Sequence, residues 1–237
     1  MKILLLAAGE GRRLRPLTDS KPKCLLPVLG KPILSYWLEQ AQAIDNDGIY
    51  VNTHYRSEEV RVFLKENYAD SGGIQVLHEE KLLGTAGTLK KLYQDSPDDV
   101  LAIHVDNFSN LKLEVFVKYF QSQPLPSSCI ALFETVNFRS SGMMEFDQNL
   151  TVTSYIHKPS VSKTKFANAG VFLFTKGDLE MVFQAKTQLI DISQDVIPML
   201  LGRMKGFLIE GIHLDIGTDL ETYNNIDNII SLSGHPK

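Results

Sequence analysis

Three observations predict an α/β fold built on an open, mostly parallel sheet. The segment 2–7 is a continuous apolar run leading into Gly9, the pattern of a strand buried on both faces. Across the first 120 residues such runs alternate with amphipathic helical patterns, which calls for right-handed crossovers. No internal repeat and no Gly- or Ser-rich linker divides the chain, so a single domain is expected.

Taken in order, 32–43 reads as a helix, with Ile33, Tyr36, Trp37 and Gln40 at helical spacing. A second strand follows at 48–52. The helix at 57–68 sets Val60, Phe63 and Leu64 against a charged face. Strands at 74–77 and 100–105 flank a helix at 85–93, and a further helix covers 113–120. The second half differs. Runs at 129–135, 143–146, 152–156 and 171–174 are strand-like and separated by turns. A helical stretch from about 193 is interrupted by Pro198. Short strands at 207–210 and 213–216 precede a closing helix at 219–232, with Asp219 near its start.

The chain has 237 residues, of which 43% are hydrophobic and 22% charged, a globular composition. Its 24 Lys and Arg against 28 Asp and Glu leave a net charge of −4. That balance provides no global phosphate-attracting field, so nucleic acid is not an expected partner. Cys24 and Cys129 are the two cysteines. They form no C-x-x-C pair, and their sparse use suits a reducing, cytoplasmic setting. The apolar run 3–8 is six residues long, shorter than a signal core of roughly 7–15 or a membrane span of about 20. No membrane association is expected.

The most informative segment is LAAGEGRRLRPLTDSKPKCLLPV. Gly9 and Gly11 follow the first strand at its C-terminal end, where open α/β sheets bind ligands. Leu14 stands where a dinucleotide fingerprint needs a third glycine, and no G-K-[ST] follows. The loop instead offers backbone N–H groups next to Arg12, Arg13, Arg15, Lys21 and Lys23. Exposed amides and clustered cations together make an anion nest suited to polyphosphate. Pro16, Pro22 and Pro27 stiffen it.

This string resembles the signature LAAGxGTRLxPLTxxxPKxLLPV of the sugar-1-phosphate nucleotidyltransferases, with Arg12 in the Thr or Ser position. The resemblance extends over nearly the whole chain. HEEKLLGTAGTL resembles the family's base and ribose loop, in a form similar to mannose-1-phosphate guanylyltransferases. HVDNF and HLDIGT resemble its two metal-carboxylate segments, YIHKPS its V-E-K-P segment, FANAGVFLF its N-A-G segment, and SSGMMEF loosely its Y-G-V-V turn.

The resemblance implies a Rossmann-like mixed sheet sandwiched by helices, with a nucleotide-binding half at 1–125 and a sugar-phosphate-binding half at 126–237. It implies nucleotide contacts from Ala8, Gly9, Gly11, Arg13, Lys23, Gly84, Thr85, Gly87 and Asp106. Sugar contacts would come from Gly142, His157, Lys158, Asn168 and Gly170, with His157 in place of the family's glutamate. Glu134 and Asp195 fall where the family often has sugar-side acids. Magnesium would sit on Asp106 and Asp215, and Arg13, Lys23 and Lys158 would be catalytic. With the chain stopping soon after the expected closing helix, the left-handed β-helix domain of longer relatives is not expected.

The implied reaction joins an NTP, GTP favoured, and a hexose or heptose 1-phosphate into an NDP-sugar with release of pyrophosphate. The attacking phosphate is already an anion, so the work is positioning and charge neutralisation. Alternatives are uridylyl or thymidylyl transfer, transfer to an alcohol phosphate, and a non-catalytic sugar-nucleotide-binding subunit. Such subunits tend to lose the Arg, Lys or Asp groups that are present here. Oligomeric state is open, a homo-oligomer being one option.

Overall fold

The computed structural model describes residues 1–69, 73–123, 127–217 and 219–233. Along the chain run β1 (Lys2–Leu6), α1 (Leu17–Ser20), β2 (Pro27–Val28), β3 (Lys31–Pro32), α2 (Ile33–Gln42), β4 (Ile49–Thr53), α3 (Ser57–Tyr68), β5 (Ile74–His78) and α4 (Thr85–Asp95). They are followed by β6 (Val100–His104), β7 (Asn107–Ser109), α5 (Leu113–Gln121), β8 (Cys129–Glu134), β9 (Gly142–Phe146), β10 (Val152–His157) and β11 (Phe166–Phe174). The chain closes through α6 (Lys176–Ala185), β12 (Lys205–Leu208), β13 (His213–Asp215) and α7 (Leu220–Leu232).

Two compact units emerge. One comprises Ile3–Leu82, His104–Asn110 and Gly211–Lys237. Its strands β1, β4 and β5 are all parallel, with Ile3 beside Ile49 and Ile49 beside Ile74. Ile3, Leu4 and Leu5 are fully buried, as a doubly covered parallel strand requires. A core of Leu14, Leu26, Val28, Ile33, Phe108, Ile216, Ile226 and Ile230 ties the glycine-arginine loop to α2 and α7. In α7, the Asp219 carboxylate accepts from Thr222 N at 2.7 Å, an N-cap that fixes where the helix starts.

The other unit comprises Met1–Lys2, Leu83–Ile103 and Leu111–Glu210. Here pairing is mostly antiparallel around the nine-residue β11, which contacts β6, β8 and β9. Among the described residues, β12 runs parallel to β8. Both cysteines lie in packed interior, Cys24 at 2% and Cys129 at 0% exposure, and burial pushes each thiol up to about 12.

The structure adds elements that the pattern of residues did not predict. A helix, α6, occupies 176–185, a stretch to which the sequence reading assigned no element. Gly177 in its first turn masks it, yet Thr175 caps it, accepting from Asp178 N at 3.1 Å. β11 starts at Phe166 rather than 171. Its register shifts between Asn168 and Phe172, with Gly170 at φ 70°, so the strand continues through a bulge that breaks the alternation. Pro198 does not break a helix. It lies in the first turn of a short 3-10 helix, Ile197–Leu200, which follows a π-helical turn at Ile192–Val196.

Candidate active site

In the first unit, β1 delivers the glycine-arginine loop. Ala7 N donates to Asn52 Oδ1 at 2.6 Å, and Asn52 Nδ2 donates to the buried Glu79 at 2.9 Å. Ala8 is buried and Gly9 faces open space. Gly11 adopts φ 64°, and a Cβ there would lie 2.7 Å from Thr18 Cγ2 and 3.1 Å from Lys23 Cβ. Glycine is therefore required on both conformational and steric grounds. Leu14 N and Thr18 Oγ1 both donate to Gly11 O at 2.9 Å, closing the turn.

The cations of the loop separate into two groups. Lys23 is buried, and its Nζ lies 2.5 Å from Asp106 Oδ2 and 3.9 Å from Asp215 Oδ1. Arg12 is exposed and pairs with Glu10 at 2.5 Å. Arg13 is exposed too, and its charge acts weakly against the net rise of Asp215.

The ribbon β7–β13 brings the two aspartates together. Asp215 stands opposite Asn107, and Ile216 N donates to Asp106 O at 2.9 Å. Trp37 Nε1 donates to Asn107 O at 2.8 Å, and the Tyr36 ring meets Phe108 edge-on at 5.2 Å, pinning the ribbon to α2. Sequence reasoning missed β7, because three residues are too short for a periodic signal.

The aspartates shift in opposite directions. Burial works to raise Asp106, but the Lys23 ammonium dominates with its charge and hydrogen bond, and the carboxyl falls to about 2. Asp215 is raised, first by burial and next by the charge of Asp106, despite a 2.7 Å bond from Gly217 N. His213 is lowered to about 3 by burial, so it is neutral. Two carboxylates in mutual repulsion with only part of their charge compensated suit a divalent cation. Among the described residues no group of three or more His, Cys, Asp or Glu side chains could hold a metal. An ion here would take its remaining ligands from phosphate oxygens and water, the habit of magnesium. Thr218, the last residue of the DIGT motif, lies outside the described residues, as does His235.

The second unit holds the other predicted residues. Gly84 has φ 77°, and a Cβ on it would collide with the Ile190 carbonyl. Ala86 N donates to that carbonyl at 3.0 Å, while Thr85 Oγ1 accepts from Ile192 N at 2.8 Å. The start of α4 is thus locked to 190–192, a segment that carries no sequence signal of its own. A Cβ on Gly87 would lie 3.0 Å from Leu83 Cβ.

On the β9–β10 hairpin, Gly142 stands opposite His157, and a Cβ on Gly142 would come within 2.6 Å of the Tyr155 ring. Tyr155 Oη lies 3.0 Å from His157 Nδ1. Burial pushes the Tyr155 phenol up to about 12, with the Ser193 hydrogen bond opposing and the Asp191 charge adding. Lys158 is exposed in left-handed backbone, φ 45°, and its N–H is held by Ser141 O at 3.0 Å.

Asn168 uses both ends of its amide within the protein, donating to Ser193 Oγ at 3.0 Å and accepting from Gly170 N at 2.8 Å. Asp195 accepts from Ile190 N and Asp191 N and pairs with Lys186 at 2.6 Å. Glu134 pairs with Lys165 at 2.8 Å. Tyr155 and Ser193 were not singled out from sequence, since hydrogen bonding between distant strands leaves no spacing pattern.

Within one unit, then, Lys23, Asp106 and Asp215 come together beside the glycine-arginine loop. Within the other, Tyr155 meets Gly142 and His157, and Asn168 joins Gly170 to Ser193. A Sulfolobus acidocaldarius protein, provisionally named a mannose-1-phosphate guanyltransferase, is 30% identical over 90% of this chain and 59% of its own length. The UTP--glucose-1-phosphate uridylyltransferase of Synechocystis is 27% identical over 85% of this chain and 55% of its own length. The chain thus spans little more than half the length of the curated relatives it matches. Among solved structures, a Bacillus anthracis protein provisionally named a glucose-1-phosphate thymidylyltransferase superimposes with a TM-score of 0.85 at 22% identity, covering 100% of this chain and 98% of its own. A UDP-glucose pyrophosphorylase complexed with UDP-glucose gives 0.80 at 18%, covering 98% of each chain. These likenesses establish the mixed α/β fold over the whole chain. The nucleotidyl transferase family model matches residues 2–228, and the chain belongs to that family.

Proposed function

We propose that the protein transfers a nucleoside monophosphate from an NTP to a sugar 1-phosphate, releasing pyrophosphate, with GTP as the preferred donor and a hexose or heptose as the sugar. The observation that carries this reading is the Lys23–Asp106–Asp215 cluster, with Lys23 2.5 Å from Asp106 and 3.9 Å from Asp215, beside a loop of open backbone and exposed Arg13. Such a cluster has no evident structural purpose. It gathers two partly exposed carboxylates around one buried ammonium, with desolvation and then the charge of Asp106 raising Asp215, and binding of polyphosphate gives that arrangement a use.

In this reading the nucleotide belongs to the half at 1–125 and the sugar phosphate to the half at 126–237. Arg13 and the N–H groups around Ala8, Gly9 and Gly11 hold the departing pyrophosphate, and Lys23 neutralises the α-phosphate region. Gly84, Thr85 and Gly87 let the base and ribose approach backbone. Lys158 neutralises the attacking phosphate, and His157 and Gly142 bound the sugar. Magnesium on Asp106 and Asp215 would supply charge stabilisation to the phosphates. Nothing in this scheme needs a strong general base, because the nucleophile is already ionised.

Pyrophosphate release with GTP, UTP, CTP, dTTP and ATP, each across a panel of sugar 1-phosphates, tests the proposal. A site that hydrogen-bonds one base leaves polar groups unpaired with another, so discrimination of about tenfold or more is expected. A preference for UTP, CTP or dTTP over GTP would replace the guanylyl reading with a uridylyl, cytidylyl or thymidylyl one. Failure with all five across the panel would leave a non-catalytic sugar-nucleotide-binding role.

A further inference from the structure

We propose that Tyr55 and Arg56 are positioning residues that hold the glycine-arginine loop in its pyrophosphate-binding conformation from the end of β4. The inference rests on the reading of that loop given above, in which Arg13 and the N–H groups near Gly9 and Gly11 meet the departing pyrophosphate. β1 ends at Leu6 and α1 begins at Leu17. Between them lies one 3-10 turn, Arg12–Leu14, and Arg12, Arg13 and Arg15 are all exposed. A stretch so long and open loses ordering entropy each time a ligand binds, unless the protein fixes it beforehand.

Segment 52–56 fixes it at both ends. At the front, Asn52 Oδ1 accepts from Ala7 N at 2.6 Å. At the back, Tyr55 Oη donates to Thr18 O at 2.9 Å, and Arg56 Nη1 donates to Asp19 O at 2.7 Å. The direction of both back bonds is settled, because a carbonyl oxygen can only accept. Thr18 relays them to the glycine turn. It is fully buried, and its Oγ1 donates to Gly11 O at 2.9 Å, the same oxygen that accepts from Leu14 N. Its Cγ2 comes within 2.7 Å of where a Cβ on Gly11 would lie. Thr18 is thus a wedge under the turn that leads into Arg12 and Arg13, and Tyr55 holds the wedge.

Arg56 carries a separate sign of the same role. It adopts left-handed backbone, φ 49° and ψ 42°, at the start of α3. Glycine and asparagine take that conformation readily and a long side chain rarely does. Its side chain makes no cap bond to the helix. The guanidinium is used instead on Asp19 O and, through Nε, on Glu59 Oε2 at 2.5 Å. The Glu59 contact keeps the fork aimed at the loop. Asp19 in turn pairs with Arg15 at 3.2 Å, so the anchored residue also steers one of the loop cations. Backbone strain of this kind persists where the side chain serves a site. Loss of an anchor should weaken whatever binds the loop, namely pyrophosphate and the NTP, and leave binding of sugar 1-phosphate alone.

Three variants test this. Tyr55→Phe removes only the hydroxyl, Thr18→Val only the relay, and Arg56→Asn replaces the guanidinium with a residue at ease in left-handed backbone. Titration calorimetry with inorganic pyrophosphate should show affinity falling roughly three- to tenfold in each, the value of one hydrogen bond. In steady-state kinetics KM for the NTP should rise to match, with KM for the sugar 1-phosphate unchanged. Arg56→Asn should show this with no loss of melting temperature, a split that a merely structural role does not produce. Amide hydrogen exchange at Leu14, whose N–H bonds Gly11 O, should quicken in all three variants while exchange at Ala7 stays constant. Unchanged pyrophosphate affinity, equal losses for pyrophosphate and sugar 1-phosphate, a lowered melting temperature in Arg56→Asn, or unchanged exchange at Leu14 would each overturn the proposal. A wild-type protein that bound neither pyrophosphate nor any NTP would overturn the transferase reading instead, and exchange at Leu14 would still decide whether the anchors hold the loop.

Discussion

The two groups of candidate residues, one within each unit, handle polarity in different ways. Around Lys23 the groups are charged and in conflict, a buried ammonium between two partly exposed carboxylates. One ammonium serves two carboxylates, lowering Asp106 to about 2 while Asp215 is raised. Around Tyr155 the contacts are single hydrogen bonds, Gly170 N to Asn168, Asn168 to Ser193, and Tyr155 Oη with His157 Nδ1. The first arrangement stores electrostatic strain that a charged ligand can relieve. The second stores orientation, which costs little to keep and is lost when one proton is removed. Phosphate chemistry needs the former and sugar recognition the latter.

The comparison breaks first at the ionised cluster. Asp106→Asn should lower turnover by at least about a hundredfold, because charge stabilisation by a bound cation contributes several kcal/mol. Circular dichroism should show the variant folded, and a near wild-type rate at saturating magnesium would remove Asp106 from the metal site. Lys23→Met leaves Asp106 and Asp215, 34% and 44% exposed, without their buried cation, and should lower stability in chemical denaturation by less than the roughly 3–5 kcal/mol of a fully buried pair.

Asp215→Asn sharpens the contrast, since activity and stability should move apart. A raised folded-state pKa means that Asp215 adds stability at low pH and gives it up as pH rises through the folded value. At neutral pH its charge is therefore a burden, and Asp215→Asn should be more thermostable while losing turnover. Each kcal/mol relieved corresponds to about 2–4 °C in a chain of this size. The gain should shrink as pH falls through the carboxylate range. Asp106 has the opposite sign. Its lowered pKa contributes stability above the unfolded value, lost as pH falls toward about 2.

Smaller effects separate the arginines. Arg13→Ala should weaken pyrophosphate and NTP binding by about 1.5–3 kcal/mol, the value of a charge-assisted hydrogen bond, with sugar-phosphate binding unaffected. Titration calorimetry with each ligand alone decides this, and equal losses would move Arg13 out of the pyrophosphate role. Arg12→Ala should change neither turnover nor melting temperature measurably, because Arg12 is exposed and spent on Glu10.

What could be read in the sequence follows the range of the signal. β1, α2, α3 and α7 were legible from apolar periodicity and caps, and α3 coincides with its predicted bounds. The glycine-arginine loop was legible because its chemistry lies in consecutive residues. β7 and the bulge in β11 were not, since pairing there depends on residues about a hundred positions away or breaks the two-residue period. The ion pair of Lys23 with Asp106 spans 83 positions, and the bond of Asn168 with Ser193 spans 25. Neither separation has a period, so only the folded chain displays them. Arg12, a departure from the family string, is explained by Glu10 two residues away, a pairing that lay within reach of sequence inspection.

Cys24 and Cys129 have a practical consequence. Thiolate is the reactive form, and burial keeps both thiols protonated to about 12. The native chain is therefore almost silent toward maleimides and iodoacetamides. A cysteine introduced at exposed Val161, 77% open to solvent, or at Val136, 94% open, would carry a fluorophore or spin label at a single defined point without removing either natural residue.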